Sequence, residues 1–409
     1  MSTVDLGLVR LLTELGGGVD LRCWRLWDDS EWRKPARRTQ TVGPGLVHDL
    51  DSGLDYHLVG GREEELADAD LLLYWGDFHH LATYQRSTVD VLTHELARPL
   101  AARDAAEQAR RVLLQEGAGA DVRSRTMSYG TTLGLNQPRD YAGAYQDLLQ
   151  QFVRGARRVW FRDPYSASVA ALLRQDDASC HGVDAAVLAG VLPATPGIGT
   201  MEVFLGRSRL VPEEIALFGR ALARATDTRP RWLGWGKEPA FRPMGMRPRF
   251  RRAWRDAALR TDQEIPLGEL LDRVQHASLV LTDTYHLAVN AWRLGTPAIL
   301  LVDDPESPSD VNGGSAHSHR DKRRDLYSQW EALPLLVHLP SVRGRHRSEV
   351  HRLAEHLRTQ ELLDATWGRL RALEDWALTM LRQELAPERW AAERRGTAEG
   401  RRASALPPA

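Results

Sequence analysis

An imidazole, a carboxamide and a guanidinium recur at i, i+4 and i+7 in the segment from Asp283 to Leu294: His286, Asn290 and Arg293. On a helix these three share one stripe. Histidine moves protons near neutral pH, and arginine grips phosphate or carboxylate through a planar fork. The segment follows the apolar run Ser278-Leu279-Val280-Leu281-Thr282 and precedes Gly295-Thr296-Pro297 and a second run, Ala298 to Val302. That order reads as strand, capped helix, glycine stop, strand. Asp283 or Thr284 is expected to supply the N-cap oxygen, Gly295 to take a left-handed C′ position, and Pro297 to bar continuation. Tyr285, Ala288, Val289 and Trp292 form the apolar face. A polar stripe on a helix between buried strands suits a ligand at the helix N-terminus. The plainer alternative is that His286 hydrogen-bonds a neighbouring loop. Asn290 and Arg293 either hold His286 in place, or Arg293 neutralises the helix C-terminus.

The same grammar occurs earlier. Arg158-Val159-Trp160-Phe161 reads as a strand ending in Arg162-Asp163-Pro164-Tyr165-Ser166, where Asp163 caps a helix that Pro164 opens and that runs to about Arg174. Arg162 is a candidate donor-binding cation or an interdomain ion pair. Ser166 is a donor contact or a local cap. Leu71 to Trp75 reads as a buried strand ending in Gly76-Asp77-Phe78-His79-His80. Asp77 is a candidate general base or a turn aspartate. His79, His80 and Trp75 are candidates for an acceptor pocket, and Trp235 and Trp292 could also stack on a sugar ring. Adjacent histidines point in different directions and no carboxylate cluster accompanies them, so no metal site is expected. Arg207 and Lys237 are candidate donor cations or solvated surface charges. The arginines between Arg242 and Arg255 suit an anionic acceptor, a peripheral contact with an acidic membrane surface, or a solvated face.

The elements that must position these residues alternate strand and helix, which argues for parallel sheets with crossover helices. The 409 residues suit two domains. We expect an N-terminal Rossmann-like domain over 1–196 on the acceptor side and a second over 197–345 on the donor side. A helical segment over 346–388 packs back across both, and 389–409 forms a disordered tail. Arg86 to Leu114 reads as one helical stretch. At 43% apolar residues and a net charge of −1, a core is expected and no charge imbalance points to nucleic acid. No apolar run approaches the roughly 20 residues of a membrane span, and Met1 to Asp5 does not resemble a signal peptide. Cys23 and Cys180 lack paired spacing. These features suggest a cytoplasmic protein.

Four blocks in order resemble the polysaccharide pyruvyltransferase family: Phe161 to Ser166, with its Arg-Asp-x-x-Ser pattern; Gly182 to Leu188, an aspartate before a small apolar run; the His286 segment; and Asp321-Lys322 with Leu326. The resemblance covers about residues 70 to 340. Thr284 stands where the family places an arginine, and the family's N-terminal glycine-rich loop is replaced by a helical stretch, Leu6 to Leu15. The resemblance implies an α/β fold like the GT-B glycosyltransferases, two Rossmann-like domains facing across a cleft. It implies transfer of a pyruvyl group from phosphoenolpyruvate to hydroxyls of a sugar-containing acceptor, forming a ketal, with no metal or organic cofactor. His286 and Asp77 would be catalytic. Arg162, Ser166, Arg207, Lys237, Thr284 and Asn290 would bind donor, and Trp75, His79 and His80 acceptor. Two rivals remain: a GT-B glycosyltransferase using a nucleotide sugar, and a catalytically idle binding module. The oligomeric state is not legible.

Overall fold

A computed structural model describes residues 2–15, 22–25, 39–43, 46–59, 65–66, 68–76, 79–95, 99–134, 136, 140–141, 143–176, 180–194, 197–205, 212–233, 266–302 and 322–386. The protein is a mixed α/β structure. Four short strands, β1 (Cys23–Arg25), β2 (Thr39–Gly43), β3 (Leu46–Asp49) and β4 (Asp55–Leu58), form a mixed sheet in the order β1-β4-β3-β2. It follows helix α1 (Ser2–Leu15) and has no counterpart in the expected strand list.

The second sheet is parallel, in the order β5 (Leu72–Trp75), β6 (Thr126–Thr131), β7 (Arg158–Phe161). Its helices are α2 (Ala82–Asp90), α3 (Ala102–Leu114), the short α4 (Ala120–Ser124), α5 (Gly143–Gly155) and α6 (Pro164–Arg174). The expected single helix from Arg86 to Leu114 is two: a π turn over Val91–Glu95 ends the first, and Pro99 precedes the second. β5 is half-buried rather than buried, because it lies at the sheet edge. The fully buried centre is β6, whose sequence Thr-Met-Ser-Tyr-Gly-Thr carries no apolar run. Alternation sorts its side chains: Met127 and Tyr129 face one core, while Ser128 and Thr126 bond His80 and Gln115.

The third sheet is also parallel, in the order β12-β11-β10-β8-β9: β8 (Thr200–Phe204), β9 (Arg229–Trp232), β10 (Leu279–Thr282), β11 (Ala298–Val302) and β12 (Leu336–His338). Its helices are α7 (Pro212–Ala225), α8 (Leu267–Gln275), α9 (Tyr285–Arg293) and α10 (Lys322–Gln329). From β8 the chain winds outward to β9, then crosses back to β10 on the other side of β8. The order therefore reverses between β8 and β10. In open parallel sheets the crevice outside the carboxyl ends at such a reversal is where ligands bind. Phe204 and Thr282 are register partners at its floor.

The last two helices, α11 (Leu339–Arg358) and α12 (Gln360–Leu385), pack back on the body. The Trp367 indole donates to Trp292 O at 3.1 Å, and Glu374 accepts Arg10 and the Val191 amide. The two parallel sheets do not each own a closed core. One contiguous apolar cluster joins Met127, Tyr129 and Trp160 to Val203, Leu281, Trp292 and Leu300, through Val4 and Leu11 of α1 and the segment Val183 to Leu188. A separate cluster under α5 and α6, including Phe152, Val159 and Phe161, covers the other face of the second sheet. Helix α1 is thus a wedge between the sheets. Gly76 (φ +66°) and Gly7 permit it: a Cβ would lie 2.3 Å from Val4 Cγ1 at the first and 2.3 Å from Ala185 O at the second.

Candidate functional site

Eight of the nine residues of α9 are buried, and His286 is the exception. It is half-buried in the helix's first turn, beside the β8/β10 reversal. Of the two expected cap oxygens, that of Thr284 does not serve. Thr284 is the N-cap, but its hydroxyl bonds Asp283 Oδ1 at 3.1 Å and does not cap the helix N–H groups. At the other end Gly295 adopts φ +82°, as a C′ residue does, and a Cβ there would meet Pro193 O at 2.3 Å. Arg323 of α10 reaches the strand ends from the far side, donating from Nη1 to Asp283 O (3.3 Å) and Leu301 O (3.2 Å).

Across from α9 lies Arg162, at the end of β7. Its Nη1 bonds Asp184 Oδ2 at 2.9 Å, and both groups are buried. Its guanidinium lies 4.9 Å from the centroid of the Tyr285 ring. The Tyr285 phenol feels the charge of the Asp184 carboxylate, and its ring meets the His286 imidazole edge-on at 5.2 Å. Burial, then the Asp184 charge, hold the Tyr285 phenol well above its ordinary pKa, so it stays protonated. Gln329 of α10 donates to Arg162 O at 3.4 Å. The blocks around residues 162, 184, 286 and 326 therefore meet at the carboxyl ends of two parallel sheets.

Asp163 and Ser166 form a buried knot rather than an open pocket wall. Asp163 caps α6 by accepting Ser166 N at 2.8 Å and also accepts the Ser166 and Thr132 hydroxyls. Ser166 Oγ in turn accepts Leu133 N at 2.7 Å. His181, bridged to Phe161, stacks near Trp376, and burial lowers its pKa.

The aromatic candidates near β5 turn inward. His80 is fully buried between Leu113 O and Ser128 Oγ (both 2.9 Å) and packs on Phe152 at 4.3 Å. Desolvation pushes its pKa down to about 3, so it is a neutral core group, not a pocket lining. His79 is half-buried against Tyr74 and Tyr84. Trp75 donates to Val4 O at 2.7 Å and stacks on Tyr129 at 5.2 Å. Trp292 is wholly buried under α12 and offers no sugar platform. Asn290 faces α1 and not a ligand: its amide bonds Thr3 Oγ1 and His286 O and receives Arg293. Arg293 is buried, and desolvation lowers its pKa to about 10. Both belong to the joint between α9 and α1. Asp77, Arg207, Trp235, Lys237 and the Arg242–Arg255 cluster lie outside the described residues.

Tyr285 and Arg323 were not among the sequence candidates. The first reads as one more apolar-face residue. The second lies beside the lysine of the late block, and only the β10/β11 register shows what it reaches. Among the described residues, no group of three or more metal-binding side chains occurs, and no helix is long and apolar enough to cross a membrane.

No family model matches the chain, and no curated protein is similar to it. Among solved structures, the apo UGT2 of Phytolacca americana overlays with a TM-score of 0.30 at 12% identity, covering 95% of this chain and 70% of its own. At that score the likeness carries no argument about function.

Proposed function

We propose that the chain is a transferase that moves a pyruvyl group from phosphoenolpyruvate to two hydroxyls of a sugar-containing acceptor, forming a ketal. One observation carries the reading. Blocks that resemble the polysaccharide pyruvyltransferases converge in space, with Arg162 on Asp184, Arg162 over Tyr285 and Gln329 on Arg162 O, and His286 is the one residue of α9 there that is not buried. In this scheme a proton goes to the enol CH2 carbon, which makes C2 electrophilic. One acceptor hydroxyl adds there, phosphate leaves, and the second hydroxyl closes the ketal. His286 suits the proton transfer, a contribution of about 10²–10⁴-fold in rate. The N-terminal end of α9 and the Arg323 guanidinium suit the donor's negative charge.

The second reading keeps the site and changes the donor to a nucleotide sugar. The commitment of Arg162 to Asp184, together with Thr284 in place of an arginine, favours it, since both weaken a cationic clamp. A thermal-shift titration separates the two. Phosphoenolpyruvate at a hundred times its dissociation constant should stabilise the protein by about 2.7 kcal/mol, and His286→Ala should abolish the shift. A shift with UDP- or GDP-sugars alone would sink the pyruvyl reading. Arg162→Ala is a poor probe here, because it strands a buried Asp184 carboxylate.

A further inference from the structure

We propose that Tyr285 is a positioning residue that fixes the His286 imidazole, and that Arg162 and Asp184 serve to hold Tyr285 rather than to bind substrate. The inference rests on the reading that His286 is the reacting group, but its own evidence is separate. Tyr285 is the first residue of α9, and a ring there is ordinarily limited only by its own turn. Here its ring is met on two sides: the Arg162 guanidinium, itself held by Asp184 at 2.9 Å, lies over its face at 4.9 Å, and His286 meets it edge-on at 5.2 Å with planes 84° apart. Arg162, Asp184 and Tyr285 are 2%, 2% and 5% exposed, so all three are enclosed by packed neighbours. Asp184 is itself locked, since its other oxygen accepts Ala186 N at 2.9 Å. The Arg162 amide is tied to Thr131 O at 2.9 Å, which anchors the assembly to the centre of the second sheet. The orientation of His286 in the third sheet is thereby set by the second sheet. Reciprocal fixing of this kind is what a proton-transferring group requires, because a misplacement of about 1 Å can cost 10²-fold in rate. It also explains why an arginine at a strand's carboxyl end is paired with a carboxylate from 22 residues downstream, which a phosphate-binding arginine would not need.

Tyr285→Phe and Tyr285→Leu, with Thr126→Val as a destabilising control away from the junction, test the proposal. The readouts are the His286 imidazole resonances, identified by their loss in His286→Gln, and the dissociation constant for phosphoenolpyruvate. We expect Tyr285→Phe to shift and broaden the His286 signals and Tyr285→Leu to weaken phosphoenolpyruvate binding about tenfold, while Thr126→Val lowers the melting temperature and moves neither. If both Tyr285 variants melt early yet leave the His286 signals and the binding constant at wild-type values, Tyr285 is only a packing residue and the proposal is overturned. If wild-type protein binds no phosphoenolpyruvate, the pyruvyl reading fails and the imidazole resonances alone decide this one. Should Tyr285→Phe not fold, Arg162→Lys is read in the same way, since it keeps the charge and removes the planar fork.

Discussion

His80 and His286 are both histidines at the carboxyl side of a parallel strand, and only burial separates them. His80 has protein partners for both ring nitrogens: Nδ1 contacts Leu113 O and Nε2 contacts the Ser128 hydroxyl. Its pKa of about 3 against an unfolded value near 6.5 means the unfolded chain binds a proton that the native one refuses. Its contribution is intact above the unfolded pKa and is lost as pH falls toward 3. Stability should therefore fall by about 1.4 kcal/mol per pH unit through this group between roughly pH 6 and pH 4. Urea titrations across that range check it: His80→Asn should lower stability at pH 7 by about 1–3 kcal/mol and reduce the slope by one proton. An unchanged slope would mean that the native ring can protonate. The adjacent pair His79-His80 suggested an acceptor pocket from sequence because spacing cannot report which ring points inward. The exposure of His286 in α9 is the feature that separates it from the buried His80.

At the scale of elements, the capped helix α6 was readable to the residue, since Asp163 and Pro164 each impose one local geometry. At α9 the same grammar left two cap candidates, and Thr284 is not the one that bonds, since it turns its hydroxyl to Asp283. Strand β6 was invisible for a different reason: Thr126, Ser128 and Thr131 occupy buried positions that an apolar-run search rejects. The mixed sheet of β1 to β4 was missed because strands of three to five residues carry too little periodicity to register. The Asp163 knot gives a direct test at this scale. Asp163→Ala removes the α6 cap and leaves the Thr132 and Ser166 hydroxyls without their acceptor. It should cost about 1–3 kcal/mol in chemical denaturation. A loss below about 0.5 kcal/mol would show that water or a rearranged Thr132 replaces the carboxylate.

For the whole molecule, the expectation of two Rossmann-like units across a cleft meets a shared core. Parallel sheets and returning C-terminal helices follow from strand–helix alternation. The wedge does not, because α1 reads as an ordinary amphipathic helix and its partners, Gly76, Ala185 and Asn290, lie far away in sequence. Since one apolar cluster spans both parallel sheets, we expect a single cooperative transition despite the chain's length. Far-UV circular dichroism and tryptophan fluorescence should give coincident urea midpoints, with Trp75 and Trp160 on one side and Trp292 and Trp330 on the other. Two separated midpoints would restore independent domains.

The wedge also sets an order of events. Thr3 bonds Asn290, 287 positions later, and Arg10 pairs with Glu374, 364 positions later. A ribosome releases the N-terminal end of this chain first, yet that end can complete its contacts only after α9 and α12 have emerged. Until Val183 to Leu188 have emerged, Val4, Leu8 and Leu11 must wait with their apolar faces uncovered. The nascent chain thus offers a long-lived hydrophobic tether for a chaperone, and its disappearance would mark the moment when the two sheets close on each other.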